Sequence, residues 1–396
     1  MEAPVSAPTL FSEGYIGPVR LRNRIVMAPV NTNFGDEQGF PTAKAVRFVR
    51  ERAAGGAGAL ILEAMQVDRR SKIVAREMGL YEDRFIPALT GLTEAIHAEG
   101  AKAFVQLNHG GPKASYRLNG ARCVSASAIP VKSGEDNVPR PLEKGEIAEI
   151  VGLHAEAAYR AQQAGFDGVE LEACHFYLLS AFLSGHLNHR TDEYGGSVEN
   201  RCRTVTEIIQ AIGERCDGRP SLGGGTAGGS KFPVIVRFNS VESPPLDGGI
   251  TAEEGREMAL CFERAGAAAV HASAAVHPVN PDIERDFVVK VAGGPSAEAP
   301  EGCFVPFAAG IKARGIHIPV ITVGKIFDPV MADSVIRDGQ ADFVALARGL
   351  IADPQWPNKA KARDFSSITQ CIECRWCHTS MQGGGDIECL VNPNLS

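Results

Sequence analysis

Four cysteines fall within nineteen residues near the end of the chain, Cys371, Cys374, Cys377 and Cys389, spaced C-x2-C-x2-C-x11-C ahead of Leu390-Val-Asn-Pro393. Thiolates this close together can hold a metal. Three of them in seven residues suit a small iron–sulfur cube, whose irons are separate corners that each take one thiolate. The rival is a single structural zinc, whose ligands more often come as two pairs on separate knuckles. The spacing favours a [4Fe-4S] cluster over zinc and points to electron transfer.

The other reactive side chains make sense only with the elements that carry them. Short β-branched runs recur at Arg24–Val30, Gly58–Glu63, Ala103–Leu107, Gly168–Glu172, Pro233–Phe238, Ala268–Ala272, Pro319–Val323 and Asp342–Leu346. Between them lie segments with helical apolar spacing, among them Phe85–Glu99, Ile147–Ala164, Val198–Glu214 and Ala252–Ala265. Near-continuous apolar strands alternating with helices mean a parallel sheet covered on both faces. Eight such units in about 330 residues predict an α/β protein with a (β/α)8 TIM barrel. An open doubly wound sheet would want G-x-G-x-x-G after its first strand, and none is there. The expected division is a barrel over residues 1–365 and a cysteine-rich, cluster-binding extension over 366–396. Gly223–Ser230 reads as a surface insertion, and Gly293–Pro300 as part of the long loop after the sixth strand.

Barrels of this kind place their chemistry at the C-terminal ends of the strands. Those ends carry Asn31-Thr32, Glu63, Gln106, Glu172 with His175 and Tyr177, Arg237, His271 with His277, Gly324-Lys325 and Ala347-Arg348. A buried arginine ending a strand needs an anionic partner, with a barrel salt bridge as the bland alternative. Glycines and basic residues after the last two strands suit a phosphate, a role that Gly324-Lys325 and Ala347-Arg348 fit.

Composition narrows the partners. The chain has 396 residues, 44% hydrophobic and 22% charged, with net charge −7 and pI near 5.9. That balance argues against nucleic acid. No run is long enough for a membrane span, and the start lacks a basic segment followed by an apolar one. Cys123, Cys174, Cys202, Cys216, Cys261 and Cys303 sit among apolar neighbours and read as reduced core thiols, which makes a cytoplasmic location the expectation.

Several runs carry a family resemblance across residues 8–396. They are Leu21-Arg-Asn-Arg-Ile-Val-Met-Ala-Pro29, Gln106-Leu-Asn-His-Gly110 and Ser184-Gly-His-Leu-Asn-His-Arg-Thr-Asp-Glu-Tyr-Gly-Gly-Ser-Val-Glu-Asn-Arg201. The chain resembles the old yellow enzyme family of flavin mononucleotide (FMN) barrels. Its tail is similar to the iron–sulfur branch that includes 2,4-dienoyl-CoA reductase and trimethylamine dehydrogenase, with a cysteine spacing nearer the latter. The resemblance implies FMN held by the Ala28-Pro29-Val30 backbone, with Asn31 near N5 and O4 and Gln106 on the pyrimidine edge. It also implies Arg237 beside N1 and O2, where a cation stabilises the reduced ring.

The chain departs from the family at several positions. The usual pair of neutral donors after the fourth strand is here Glu172-Ala-Cys-His175, and a carboxylate does not donate to a carbonyl oxygen unless protonated. Tyr177 aligns with the branch's proton-donating tyrosine and His277 with its catalytic histidine. His109 matches the signature, but the arginine expected three residues later is Pro112. Arg190, Asp192, Glu199 and Arg201 read as a structural charge network. Covalent flavin is not expected, because the region around Asn31 has no cysteine.

The expected activity is reduction of an activated C=C bond in a small α,β-unsaturated carbonyl compound or acyl-CoA thioester. The alternatives are an oxidative amine-dehydrogenase type and an electron-transfer subunit. In the branch that the tail resembles, chains continue into domains that bind a second dinucleotide. This chain stops at Ser396, so electrons are expected from a separate flavoprotein or from missing C-terminal domains. Homo-oligomerisation stays open.

Overall fold

The computed structural model describes residues 8–131, 137–219, 231–243, 247–276, 299–382 and 384–395. His277 and Gly223–Ser230 lie outside the described residues, as does most of Gly293–Pro300.

Eight parallel strands close into a barrel: β1 (Ile25–Met27), β2 (Ala59–Gln66), β3 (Lys102–Asn108), β4 (Gly168–Ala173), β5 (Val234–Ser243), β6 (Ala269–Val276), β7 (Val320–Thr322) and β8 (Phe343–Leu346). Each pairs with the next, and β8 pairs with β1. The outer layer is α1 (Ala43–Ala54), α2 (Ile86–His97), α3 (Lys144–Gln163), α4 (Val198–Cys216), α5 (Ala252–Ala265), α6 (Val305–Ala313), α7 (Pro329–Arg337) and α8 (Arg348–Ala352). This is the (β/α)8 barrel that the periodicity predicts. Helix α3 starts three residues before the expected Ile147, because Glu143 and Glu146 form a capping box that supplies the first turn's partners.

Strand alternation splits the apolar residues into two cores. Leu60, Leu62, Val105, Leu107, Val169, Leu171, Val236 and Phe238 face outward onto the helices. Val26, Ala28, Ala59, Ile61, Phe104, Ile235, Ala269, Ile321, Phe343 and Ala345 fill the barrel itself. A hairpin of Gly14–Ile16 and Val19–Leu21 plugs the N-terminal end with Ile16, Val19 and Leu21. Its tip, Gly17 at φ 53°, lies against Pro233 and Ala268, where a Cβ would come within 3.3 Å of the alanine's own Cβ.

The tail has no core of its own among the described residues. Ile368, Ile387 and Leu395 join the barrel's outer core. The Ile387 N–H donates to Thr32 O at 2.9 Å, and Asp386 pairs with Lys44 and Arg76, each at 2.6 Å. The cysteine segment is thus fixed to the loop after β1, at the C-terminal mouth. Among the described residues no helix is long and apolar enough to cross a membrane.

Candidate active site at the barrel mouth

Residues two apart on a strand share a face. Continuing the inner rows upward from Phe104, Gly168, Ile235 and Ala269 places Gln106, Glu170, Arg237 and His271 inside the barrel. The next step adds Asn108, Glu172, Asn239 and Ser273. The barrel interior is therefore apolar below and polar above. Register shifts at Leu62/Ala64 in β2 and Ser273/Ala275 in β6 lie in this upper half, where bulges re-aim side chains.

The lower polar tier is one chain of hydrogen bonds. Gln106 Nε2 donates to Glu170 Oε1 at 2.8 Å, and Glu170 Oε2 lies 2.7 Å from His271 Nδ1. Burial holds His271 below the ordinary imidazole range. Neutral His271 then donates from Nδ1, which leaves Nε2 as an acceptor with no partner among the described residues. Arg237 is 5% exposed, and its buried Nε is also without a partner among them. Burial would weaken the guanidinium's charge, but the Glu172 and Glu170 carboxylates offset this and keep it protonated.

The upper tier centres on His175. Its Nδ1 is 3.2 Å from Glu172 Oε1 and its Nε2 is 3.1 Å from Ser273 Oγ. Burial opposes ionisation of Glu172, but the His175 hydrogen bond and the Arg237 charge outweigh it and hold the carboxyl below its usual range. Burial likewise keeps His175 neutral. The consistent arrangement is Nδ1–H donating to the carboxylate and Nε2 accepting from the serine hydroxyl. The Cys174 thiol donates to Glu172 Oε1 at 2.8 Å and, pushed well up by burial and that carboxylate, stays protonated. Cys174, a plain core thiol by its sequence neighbours, instead belongs to the site.

Backbone strain marks this turn. His175 and Phe176 have φ of 56° and 62°, left-handed values that cost a non-glycine residue. The His175 N–H is fixed by Asn239 Oδ1 at 3.1 Å and the Phe176 N–H by Ser180 Oγ at 3.2 Å. The turn delivers Tyr177 to the rim, where it is partly exposed. Lys113 Nζ lies 4.6 Å from the centre of the tyrosine ring and donates to His175 O at 3.1 Å. Burial, then the Glu172 charge, raises the pKa of the phenol and keeps its proton on.

The unsatisfied groups test whether a flavin fits. An unpaired buried polar atom costs about 1–3 kcal/mol, so several in one place mark a surface built for a ligand. Arg237 Nε, His271 Nε2 and both amide atoms of Asn108 are such atoms. At the end of β1, the Ala28 N–H still donates to Leu346 O at 2.9 Å, whereas the Val30 and Asn31 N–H groups have no backbone partner among the described residues. This donor set and open backbone suit a planar, anionic heterocycle.

A model of the NADH:flavin oxidoreductase / NADH oxidase family matches residues 9–364. The chain belongs to this family. It is 39% identical over 393 residues to NADH oxidase of Thermoanaerobacter brockii, an alignment covering 98% of this chain and 56% of the relative. Cinnamate reductase of Clostridium sporogenes is 32% identical over 393 residues, covering 96% and 56%. A solved structure of 2-naphthoyl-CoA reductase with 2-naphthoyl-CoA superimposes with a TM-score of 0.85 at 27% identity, covering 98% of this chain and 57% of that one. The chain thus spans a little over half the length of these relatives.

In this member of the family the expected phosphate residues follow β7 and β8. Gly324 has φ 115° and packs so closely that a Cβ would come 2.8 Å from the Phe304 ring. Lys325 Nζ and Arg348 Nη1 converge on one carboxylate, Glu373, at 2.9 and 3.5 Å. The four tail thiols lie within electrostatic reach of one another: burial, then Cys371, Cys389 and Cys374, push Cys377 up to about 11. No three of their sulfurs fall within 4.8 Å of one another.

The fold brings together Glu172, His175, Tyr177 and Arg237, with Gln106 beside them and tied to Glu170. It sets Lys325 and Arg348 against the cysteine segment. Glu63, pushed up to about 7 by burial, is occupied locally by the Thr32 N–H at 3.1 Å. His109 is neutral and structural: burial pushes it down to about 4, and its Nδ1 accepts from the Gly111 N–H at 3.0 Å. The expected charge network resolves into separate pairs. Arg190 pairs with Asp192 at 2.6 Å and Arg201 with Glu254, while Glu199 joins no ion pair among the described residues. Glu170, Asn239, Ser273 and Lys113 are site residues that no motif marks. The alternation in Val169-Glu-Leu-Glu172 is the one available signal for Glu170.

Proposed function

We propose that this chain is the FMN- and [4Fe-4S]-bearing part of a reductase for an activated C=C bond in an α,β-unsaturated carbonyl or acyl-CoA compound. The observation that carries this reading is Arg237, a buried guanidinium with an unsatisfied N–H, on the same inner face as Glu172 and its register partner across β4 and β5. FMN, when bound, supplies the hydride. Arg237 would hold the negative charge of its reduced ring, with the open Val30 and Asn31 backbone along its edge. Gly324, Lys325, Ala347 and Arg348 would take its phosphate. Cys371, Cys374, Cys377 and Cys389 would hold the cluster.

The protein's own part is proton delivery. Tyr177 keeps its proton and stands at the rim, so its hydroxyl can protonate the substrate carbon that does not receive hydride. Lys113, beside the ring, stabilises the phenolate left behind. His175, neutral and locked between Glu172 and Ser273, holds the turn that carries Tyr177. His277, the expected second member of the proton-delivery pair, lies outside the described residues.

The amine-oxidising reading weakens, because Glu172 is engaged by His175 and Cys174 and faces the Arg237 charge. Glu172 is thereby committed to these partners and is not offered to an ammonium group. Against a pure electron-transfer subunit stands Tyr177, a protonated phenol at the rim that electron transfer alone does not require.

The test is anaerobic purification followed by analysis and turnover. The expected result is about one FMN, with iron and sulfide near four each, and reduction of cinnamate-like enoates or enoyl thioesters by the chemically reduced protein. Zinc without iron would overturn the cluster. Flavin that is reduced by amines but never reoxidised by enoates would overturn the reductase.

A further inference from the structure

The cluster loop reaches into the phosphate seat. Glu373 lies between Cys371 and Cys374, and its Oε2 is 2.9 Å from Lys325 Nζ and 3.5 Å from Arg348 Nη1. The lysine side chain is 4% exposed, the arginine 17% and the glutamate 25%, so the three groups meet largely out of water. Lys325 Nζ also donates to Ala299 O at 2.5 Å. The Glu373 contacts are electrostatic only: its buried Oε2 receives no aligned hydrogen bond among the described residues. Glu373 adopts φ 55° and Arg375 φ 59°, left-handed values on both sides of Cys374. A non-glycine residue holds such a backbone only where its surroundings compensate. For Glu373 the visible compensation is its attraction to the two cations.

We propose that the Glu373 carboxylate is a built-in competitor for the flavin phosphate seat, so that cofactor occupancy and the position of the Cys371–Cys374 loop are coupled. This rests on the FMN reading above. A carboxylate brings one charge to Lys325 and Arg348, whereas a phosphate monoester brings nearly two and three acceptor oxygens, with geometry matched to the guanidinium fork. The phosphate therefore wins when present. Two anions do not share these two cations without mutual repulsion in a partly dry site. As the phosphate arrives, Glu373 withdraws, and the loop carrying two cluster ligands moves with it. The ligand class that drives the change is a phosphate monoester; an uncharged flavin lacks the group that displaces Glu373.

The test compares FMN and riboflavin binding to the full chain after its flavin is removed anaerobically, read by flavin fluorescence quenching. Glu373→Gln should tighten FMN about tenfold or more and leave riboflavin unchanged. Glu373→Gly, which removes the carboxylate and relaxes the left-handed backbone, should tighten FMN as well, and it covers the case in which the glutamine variant folds poorly. In the unmodified chain, inorganic phosphate should weaken FMN binding less than in Glu373→Gln, because Glu373 already screens the seat. Equal FMN affinity in all three proteins, or looser binding in the variants, would overturn the competition. So would a parallel gain for riboflavin. Failure of every form to bind either flavin would instead remove the FMN reading on which the proposal stands.

Discussion

The lower and upper halves of the barrel interior are built on the same strands by the same alternation, yet they solve opposite problems. Below, Phe104, Ile235, Ala269, Ile321 and Phe343 interlock above a hairpin plug and bring no polar side-chain atom with them. Above, two residues further along the same rows, stand Gln106, Arg237 and His271, with unsatisfied nitrogens on the last two. Packing complementarity stabilises the first region. In the second, stability is given up to hold charges and donors ready for a ligand. Closing the bottom is what allows the top to stay open, because a barrel needs one rigid end to fix the spacing of its strand termini.

The contrast can be broken most sharply at the rim. Replacing Tyr177 with Phe should slow C=C reduction by about two to four orders of magnitude, the usual worth of a positioned acid. Stopped-flow should show flavin reduction by an artificial donor nearly unchanged. Equal loss in both half-reactions would make Tyr177 structural. At the other end, Phe104→Ala should cost about 3–5 kcal/mol in denaturant unfolding, because it opens a cavity that the plug does not fill. It should do so without selectively affecting either half-reaction.

Charge burial near the mouth gives a further separation, read through pH. Glu77, in the loop after β2, is close enough to Tyr177 for its charge to raise the phenol. It is fully buried, one of its carboxylate oxygens has no partner among the described residues, and burial pushes it up to about 8. Its folded pKa lies above the unfolded value of 4.5, so the native state binds the extra proton. Its contribution to stability is therefore greatest below the unfolded pKa and declines as pH rises toward 8. Glu77→Gln should remove that decline, which amounts to at most about 4 kcal/mol between roughly pH 5 and pH 9. The same pH dependence in both proteins would show that Glu77 is not the source. Least in size is Arg237→Met. It should lower the flavin reduction potential through loss of one charge-assisted contact, worth about 1.5–3 kcal/mol, with little change in the melting temperature of the flavin-free chain. An unchanged potential with a large fall in melting temperature would make Arg237 a structural cation.

The eight strand–helix units, the polar strand ends and the cysteine spacing are all legible in the linear chain, because each is a local pattern. Alternation decides which face a residue occupies, and capping residues such as Thr251 and Glu254 fix helix starts within one turn. Which residues meet is a different matter. Glu170 and His271 are 101 residues apart, and barrel closure brings them to 2.7 Å. Apolar neighbours make Cys174 look like core, but the strained His175 turn sets its thiol on Glu172. Glu373 looks like a spacer between cluster ligands, and the folded tail puts it on Lys325 and Arg348. The Glu170–His271 and Glu373 contacts depend on strand register and on where loops fold back across the mouth. No single segment encodes these two, because their partners come from strands and loops far apart in the chain.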